Sequence, residues 1–259
     1  MSYPVHIYGD YGEQFRAQST RIGSLPLGTR MILPDGRVYA HARASTAAGV
    51  SVGAICVEAA TSSSAHVANL TASAATGSQT IAVTLTATGA VTKDQFKDGY
   101  IFCNDSGAAT GEGYVYKVKG NNSGAVSTTV NFFLDDGEKV QVALAAASSQ
   151  VGLRVNEFDH VLHRAGGTTE VGILAGVPNR AVSSGYYFWV QRKGACAILS
   201  SGTVAIVGDP VACSTVTHGV QAHDSDANTS LAPVSEALGY CISPAGASTD
   251  YDLIYLTLD

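Results

Sequence analysis

The stretch YYFWVQRKGACAIL, Tyr186–Leu199, decides the fold of this chain. It holds the only Trp of the sequence and sets two Tyr, a Phe and that Trp in four consecutive positions. Aromatic and β-branched residues in a run bounded by Gly185 and Gly194 read as a buried strand. Burying four such side chains stabilises by about 1.5–3 kcal/mol each. A polar step, Gln191-Arg192-Lys193, separates this run from a second apolar one, Ala195–Leu199. Ser200-Ser201-Gly202 then signals a turn, Thr203–Val207 reads as a strand, and Gly208-Asp209-Pro210 as another turn.

The same rhythm of short strands and tight turns runs outward in both directions. Upstream, TRMILPDGRVYAHAR (29–43) is a hairpin. Pro34 presets φ at the turn and Gly36 accepts a positive φ. On its return strand Val38, Ala40 and Ala42 share one face, and Arg37, Tyr39, His41 and Arg43 the other. Gly49–Ala59 reads as a strand around Ile55. Thr61–Ser78 is rich in Ala, Ser and Thr and reads as a loop. Strands follow over 79–87, 99–103, 113–119, 126–134, 139–144 and 151–155, with a single helical turn at 91–96 capped by Thr92. Downstream come 159–164, 170–174, 219–222, 237–242 and 251–258. No long stretch of 3.6-residue periodicity occurs. The expectation is an all-β protein of sandwich or barrel type. Its parts are an extended N-terminal arm over 1–28, a hairpin and strand over 29–60, an inserted small β domain over 61–150, and the rest of the core domain over 151–259.

Composition narrows the function. Of 259 residues, 46% are hydrophobic, enough for a core, while only 14% are charged, well under the usual quarter. The net charge of −6 and the scatter of the 15 basic residues exclude a phosphate-binding surface, so no nucleic-acid partner is expected. No apolar run reaches membrane-spanning length, so no membrane partner is expected. The N-terminus lacks the basic and apolar regions of a signal peptide. The five cysteines form no CxxC pair and sit in apolar runs. They read as buried free thiols of a protein assembled in a reducing cytoplasm.

Catalytic signatures are lacking. Glu157, Asp159, His160 and His163 cluster, but His at i and i+3 of a strand point to opposite faces and cannot share a metal. His218 and His223, with Asp224 and Asp226, fall in a polar loop without calcium-loop spacing. Asp135-Asp136-Gly137 is a turn, and GAATGEG (107–113) lacks the Lys-Ser/Thr of a phosphate loop. No nucleophile motif occurs. No catalytic residue, cofactor or metal is expected.

Five segments together resemble structural virion proteins of tailed bacteriophages, of the capsid decoration or cement type. They are PLGTRMILPDGRVYAHARA (26–44), QFKDGYIFCNDSGAATGEGYVYKVKGN (95–121), EKVQVALAAASSQVGLRVNEFDHVL (138–162), GYYFWVQRKGACAILSSGT (185–203) and GYCISPAGASTDYDLIYLTLD (239–259). The resemblance implies a non-enzymatic β-rich protein on the capsid surface. Its partners would be the major capsid protein and itself, as a homotrimer by analogy. The expected contact residues are Tyr3, Ile7, Tyr8, Tyr11 and Phe15 of the arm, which are costly to leave in water, and Tyr39, His41 and Arg43 of the hairpin. Two rivals carry their own signs. Exposed aromatics at Tyr100, Phe102, Tyr114 and Tyr116 would favour a receptor- or glycan-binding tail protein. A cleft with converging carboxylates would favour a polysaccharide depolymerase.

Overall fold

The computed structural model describes residues 6–57, 66, 69–104, 111–165, 172–201, 205–214, 216–223, 237–245, 247 and 250–259. The chain divides into two compact units, one comprising Thr61–Asn156 and the other Tyr3–Ala60 with Glu157–Asp259. The regular secondary structure of both is almost entirely strand, as the short alternating runs require.

The core unit opens with β1 (His6–Tyr8), β2 (Ala17–Gln18), β3 (Arg30–Ile32), β4 (Val38–Arg43) and β5 (Cys56–Val57). The inserted unit supplies β6 (Leu70–Ser73), β7 (Thr80–Thr84), β8 (Tyr100–Cys103), β9 (Val115–Asn121), β10 (Thr129–Leu134) and β11 (Gln150–Arg154). The core unit resumes with β12 (Leu162–His163), β13 (Leu174–Pro178), β14 (Tyr187–Leu199), β15 (Pro210–Cys213), β16 (Val220–Ala222), β17 (Gly239–Ser243) and β18 (Tyr251–Thr257).

The inserted unit is a closed six-stranded barrel in the order β10-β7-β6-β11-β8-β9, which leaves no sheet edge to cap. Burial alternates along β6, β7, β8 and β10. In β10, Val130, Phe132 and Leu134 point inward while Thr129, Asn131 and Phe133 point out. Ile81, Val83, Ile101, Val118 and Val151 complete a dry interior. Four expectations change here. Leu70–Ser73 is a stave of the barrel rather than part of a loop, because Leu70 and Ala72 alternate inward although the window around them is Ser/Thr-rich. Around 139–144 only Ala74 and Leu144 form a bridge, so no strand forms there. The unit also runs to Asn156 rather than 150, since β11 pairs with β6 and β8. Residues 91–96 form turns rather than helix, with the Thr92 N–H donating to Gln95 Oε1 at 2.9 Å.

In the core unit the main sheet path is β1-β3-β4-β14-β18-β17-β15-β16. Its centre is β14, one continuous strand of 13 residues rather than the two runs its polar middle indicates. Tyr187–Lys193 pairs with β4 and Lys193–Leu199 with β18. The join is a register shift between Gln191 and Lys193, followed by Gly194 at φ 89°, a backbone conformation that favours glycine. Trp189 packs among Ile22, Met31, Leu33 and Tyr39 and is 2% exposed. Phe188 and Val190 face a separate cluster with Leu27, Ala42 and Val161. The 203–207 strand does not form over its described residues, where Val207 and Gly208 are in a turn.

The N-terminal segment is not a free arm. β1 pairs in parallel with β3 and β2 pairs with β14. Ile22 and Leu27 are core residues.

Two outcomes follow from this packing. Trp189→Ala should cost about 3–5 kcal/mol in denaturant unfolding, and Trp189→Phe much less, since the indole N–H has no hydrogen-bond partner among the described residues. All five cysteines are buried and free. An aromatic disulfide reagent should therefore titrate five thiols in denaturant and close to none in the native protein.

Candidate interaction surface

The segment before the hairpin is held by backbone bonds that leave its aromatics outside. Gly9 N–H donates to Ile32 O at 3.0 Å, and the Arg180 guanidinium donates to Phe15 O at 2.8 Å. Gln14 turns inward and accepts from Gly12 N–H at 2.7 Å, forming a compact 3-10 turn over Glu13–Phe15. On this fixed backbone Tyr8 is 86% exposed, Tyr11 62% and Phe15 47%. Leaving aromatic rings in water is unfavourable by about 25 cal/mol per Å², and fixing their backbone removes much of the ordering cost of a later contact. Ile7 instead packs against the Trp189 cluster. Tyr3 lies outside the described residues.

The hairpin residues behave differently from expectation. Tyr39 and His41 are fully buried, so neither is available as a contact. Period-two alternation separates the two faces of β4 correctly, but both faces are covered. The Tyr39 hydroxyl donates to Gln191 Oε1 at 3.2 Å, and burial pushes its pKa up to about 12. The His41 ring packs at a tilt against Trp189 and Tyr187, with ring centroids 5.3 and 5.7 Å away. Arg43 is half-buried beside Asp159 at 3.7 Å, with its guanidinium 5.5 Å from the Tyr187 ring centre. Its charge is engaged within the fold.

Two further arginines of the core unit are tied to backbone carbonyls. Arg192 donates to Leu174 O, Ala175 O and Leu258 O at 2.7–3.0 Å and to the Asp259 carboxylate at 3.0 Å. Arg164 donates to Ser214 O at 2.8 Å. Among the described residues no group of three or more His, Cys, Asp or Glu is placed to hold a metal. Asp224 and Asp226 lie outside the described residues, as does most of the 107–113 loop. His160 sits in a turn with left-handed φ, 3.2 Å from Asp159. His163 meets a residue that spacing did not connect to it: its ring stacks on His218 at 4.6 Å.

In the barrel unit Tyr116 is buried, Tyr100 and Phe102 are half-buried, and Tyr114 is exposed. A shallow groove of about 490 Å³ is lined by Asp94, Lys119, Phe133 and Asp136 among others, with Lys119 and Asp136 paired across it.

No protein-family model matches the chain, and no curated protein or solved structure matches it.

The histidine pair makes stability depend on pH. Ser51 N–H donates to His163 Nε2 at 2.7 Å, which requires a neutral ring. Burial, and secondarily the neighbouring His218, holds His163 below the usual imidazole value. The unfolded chain therefore binds this proton more readily than the folded one. The stabilisation is complete above the ordinary value of about 6.5 and is lost as pH falls through the lower folded value. Tm should drop on acidification below neutrality, and His163→Gln, whose amide oxygen still accepts from Ser51, should flatten that slope in thermal scans.

Proposed function

We propose that this chain is a non-enzymatic structural protein of a tailed-phage virion that binds the outer capsid surface and stabilises the head. The observation that carries the reading is the set Tyr8, Tyr11 and Phe15, three exposed aromatics on a backbone already tied to the sheet. Aromatic side chains on a rigid frame are the usual anchors of protein interfaces, because little freedom remains to be lost on docking. The partner in this reading is the major capsid protein, with a homotrimer offering three such anchor sets to the lattice. Binding only the assembled shell would stabilise it by mass action. The use of Arg192, Arg164 and Tyr39 in internal hydrogen bonds supports a structural rather than catalytic role. Burial of Tyr116 and half-burial of Tyr100 and Phe102 weigh against the glycan-binding tail reading.

The test is co-sedimentation with capsid shells of the phage that encodes the chain, alongside cryo-electron microscopy of the virion. Wild-type protein should pellet with shells and give density on their outer surface. Tyr8→Ser, Tyr11→Ser and Phe15→Ser should each weaken binding by roughly tenfold or more while leaving Tm within a few degrees. Deleting 1–20 is the poorer variant, since it removes β1 and β2 from the sheet. Density in the tail, or shell binding indifferent to all three substitutions, would refute the reading.

A further inference from the structure

The second half of β14 and its neighbours β18 and β17 break the usual rule for a one-sided antiparallel sheet, in which outward positions are polar. Inward, Cys196, Ile198, Cys241, Ile254 and Leu256 form a core cluster. Outward, the registered row Ala195–Tyr255–Tyr240 crosses the three strands. The next rows bring Ala197 beside Leu253, and Leu199 beside Tyr251. Tyr240, Tyr251 and Tyr255 are 54%, 46% and 44% exposed, and Leu253 38%. On this face of the three strands the only charged side chain is Lys193, at one end.

We propose that this face is a self-association surface, covered by the same face of a second copy across a two-fold axis running along the strands. Three features select a copy of this chain as the occupant. The first is charge: a face whose one charge is a terminal Lys offers little to an ionic partner, and its tyrosine, leucine and alanine rows carry no charge to repel a second copy. The second is relief. Tyr255, Leu253 and Tyr240 of β18 and β17 form a bulky ridge beside the low strip at Ala195, while the Tyr251 ring lies against Gly53 next to the Ala197 carbonyl. A two-fold axis along the strands lays each ridge over the other copy's strip, with the sheets about 10 Å apart as in a sandwich. The third is area. Three half-exposed tyrosines at ~100 Å² each, with Leu253, Ile242 and the alanines, give about 500 Å² per copy, and the pair reaches the ~1,000 Å² at which specific interfaces begin. Such a contact is weak in dilute solution and strong at the local concentration of an assembly.

This contact goes beyond the capsid-binding reading and fails separately from it. The experiment is light scattering coupled to size exclusion on the full chain over a dilution series. Tyr255→Lys disrupts the ridge and Ala195→Arg the strip, an exposed small residue whose replacement leaves the core untouched. Near-ultraviolet circular dichroism from Trp189 reports that each variant is folded. Wild-type protein should show a mass of two chains at high concentration, or of six if trimers also form. Each variant should raise the apparent dissociation constant by ~30-fold or more, giving one chain or three. A wild-type protein that stays monomeric or purely trimeric at every concentration overturns the proposal. So does an even-numbered oligomer that both variants leave intact, whatever the chain does with capsid shells.

Discussion

The core unit depends on a single strand that changes partners halfway along. β14 pairs with β4 up to Lys193 and with β18 from Lys193 on, so the strand ladders of the two halves of the main sheet meet at β14. The change happens at a bulge, and a bulge leaves peptide groups without ladder partners. Gln191 answers this from inside. Its amide nitrogen donates to Lys193 O at 3.2 Å and to Ala195 O at 2.9 Å, while its oxygen accepts from Tyr39 and from Asn179. Arg192, displaced by the bulge, donates to carbonyls of β13 and of the segment after β18. A fully buried glutamine costs little only because both ends of its amide are satisfied. The polar step that reads as a break in the sequence is therefore the hinge pin of a continuous strand.

Much of the fold is legible because apolar alternation and Gly-bearing turns act locally. The PDG hairpin turn and the strictly alternating β7 and β10 need nothing beyond their own residues to declare themselves. What is not legible depends on partners far away in sequence. Leu70–Ser73 becomes a strand because β7 and β11 flank it, and its Thr and Ser point outward where their propensity is irrelevant. Residues 139–144 alternate well, yet only one bridge forms there. The join at Gln191 is invisible to any pattern, since a buried amide and a solvated one look alike in sequence.

The residues expected from sequence to make contacts divide along the same line. Aromatics of a segment without periodicity are correctly read as lacking a place in the core at Tyr8, Tyr11 and Phe15, but Ile7 is drawn in by Met31 and Trp189. Tyr39 and His41 mislead because alternation says which residues share a face, not whether that face is wet. Polar-capable residues normally mark the solvated side of an antiparallel strand. Here the outer face of β4 is covered, and the polar atoms of Tyr39 and His41 meet Gln191 Oε1 and Pro26 O instead of water.

The burial of β14 shows the converse error. From Phe188 to Gln191 four consecutive residues are buried, as in a strand covered on both faces. From Lys193 to Ile198 burial alternates, as in a strand covered on one. Hydropathy cannot register that change, because the outward positions Ala195 and Ala197 are no more polar than the inward Cys196 and Ile198. An alternating strand in water would ordinarily be under pressure to put Thr, Lys or Glu at those outward positions. The same lapse repeats on β18 and β17, where tyrosine and leucine stand outward in register with the alanines. A lapse confined to one strand is ordinary surface composition, since single apolar residues are common there. A lapse that crosses three hydrogen-bonded strands in matching rows makes a contiguous apolar patch. The strand that organises the interior thus also shapes the exterior: its aromatic half closes the core, and its alanine half lies in register with the outward tyrosines and leucine of β18.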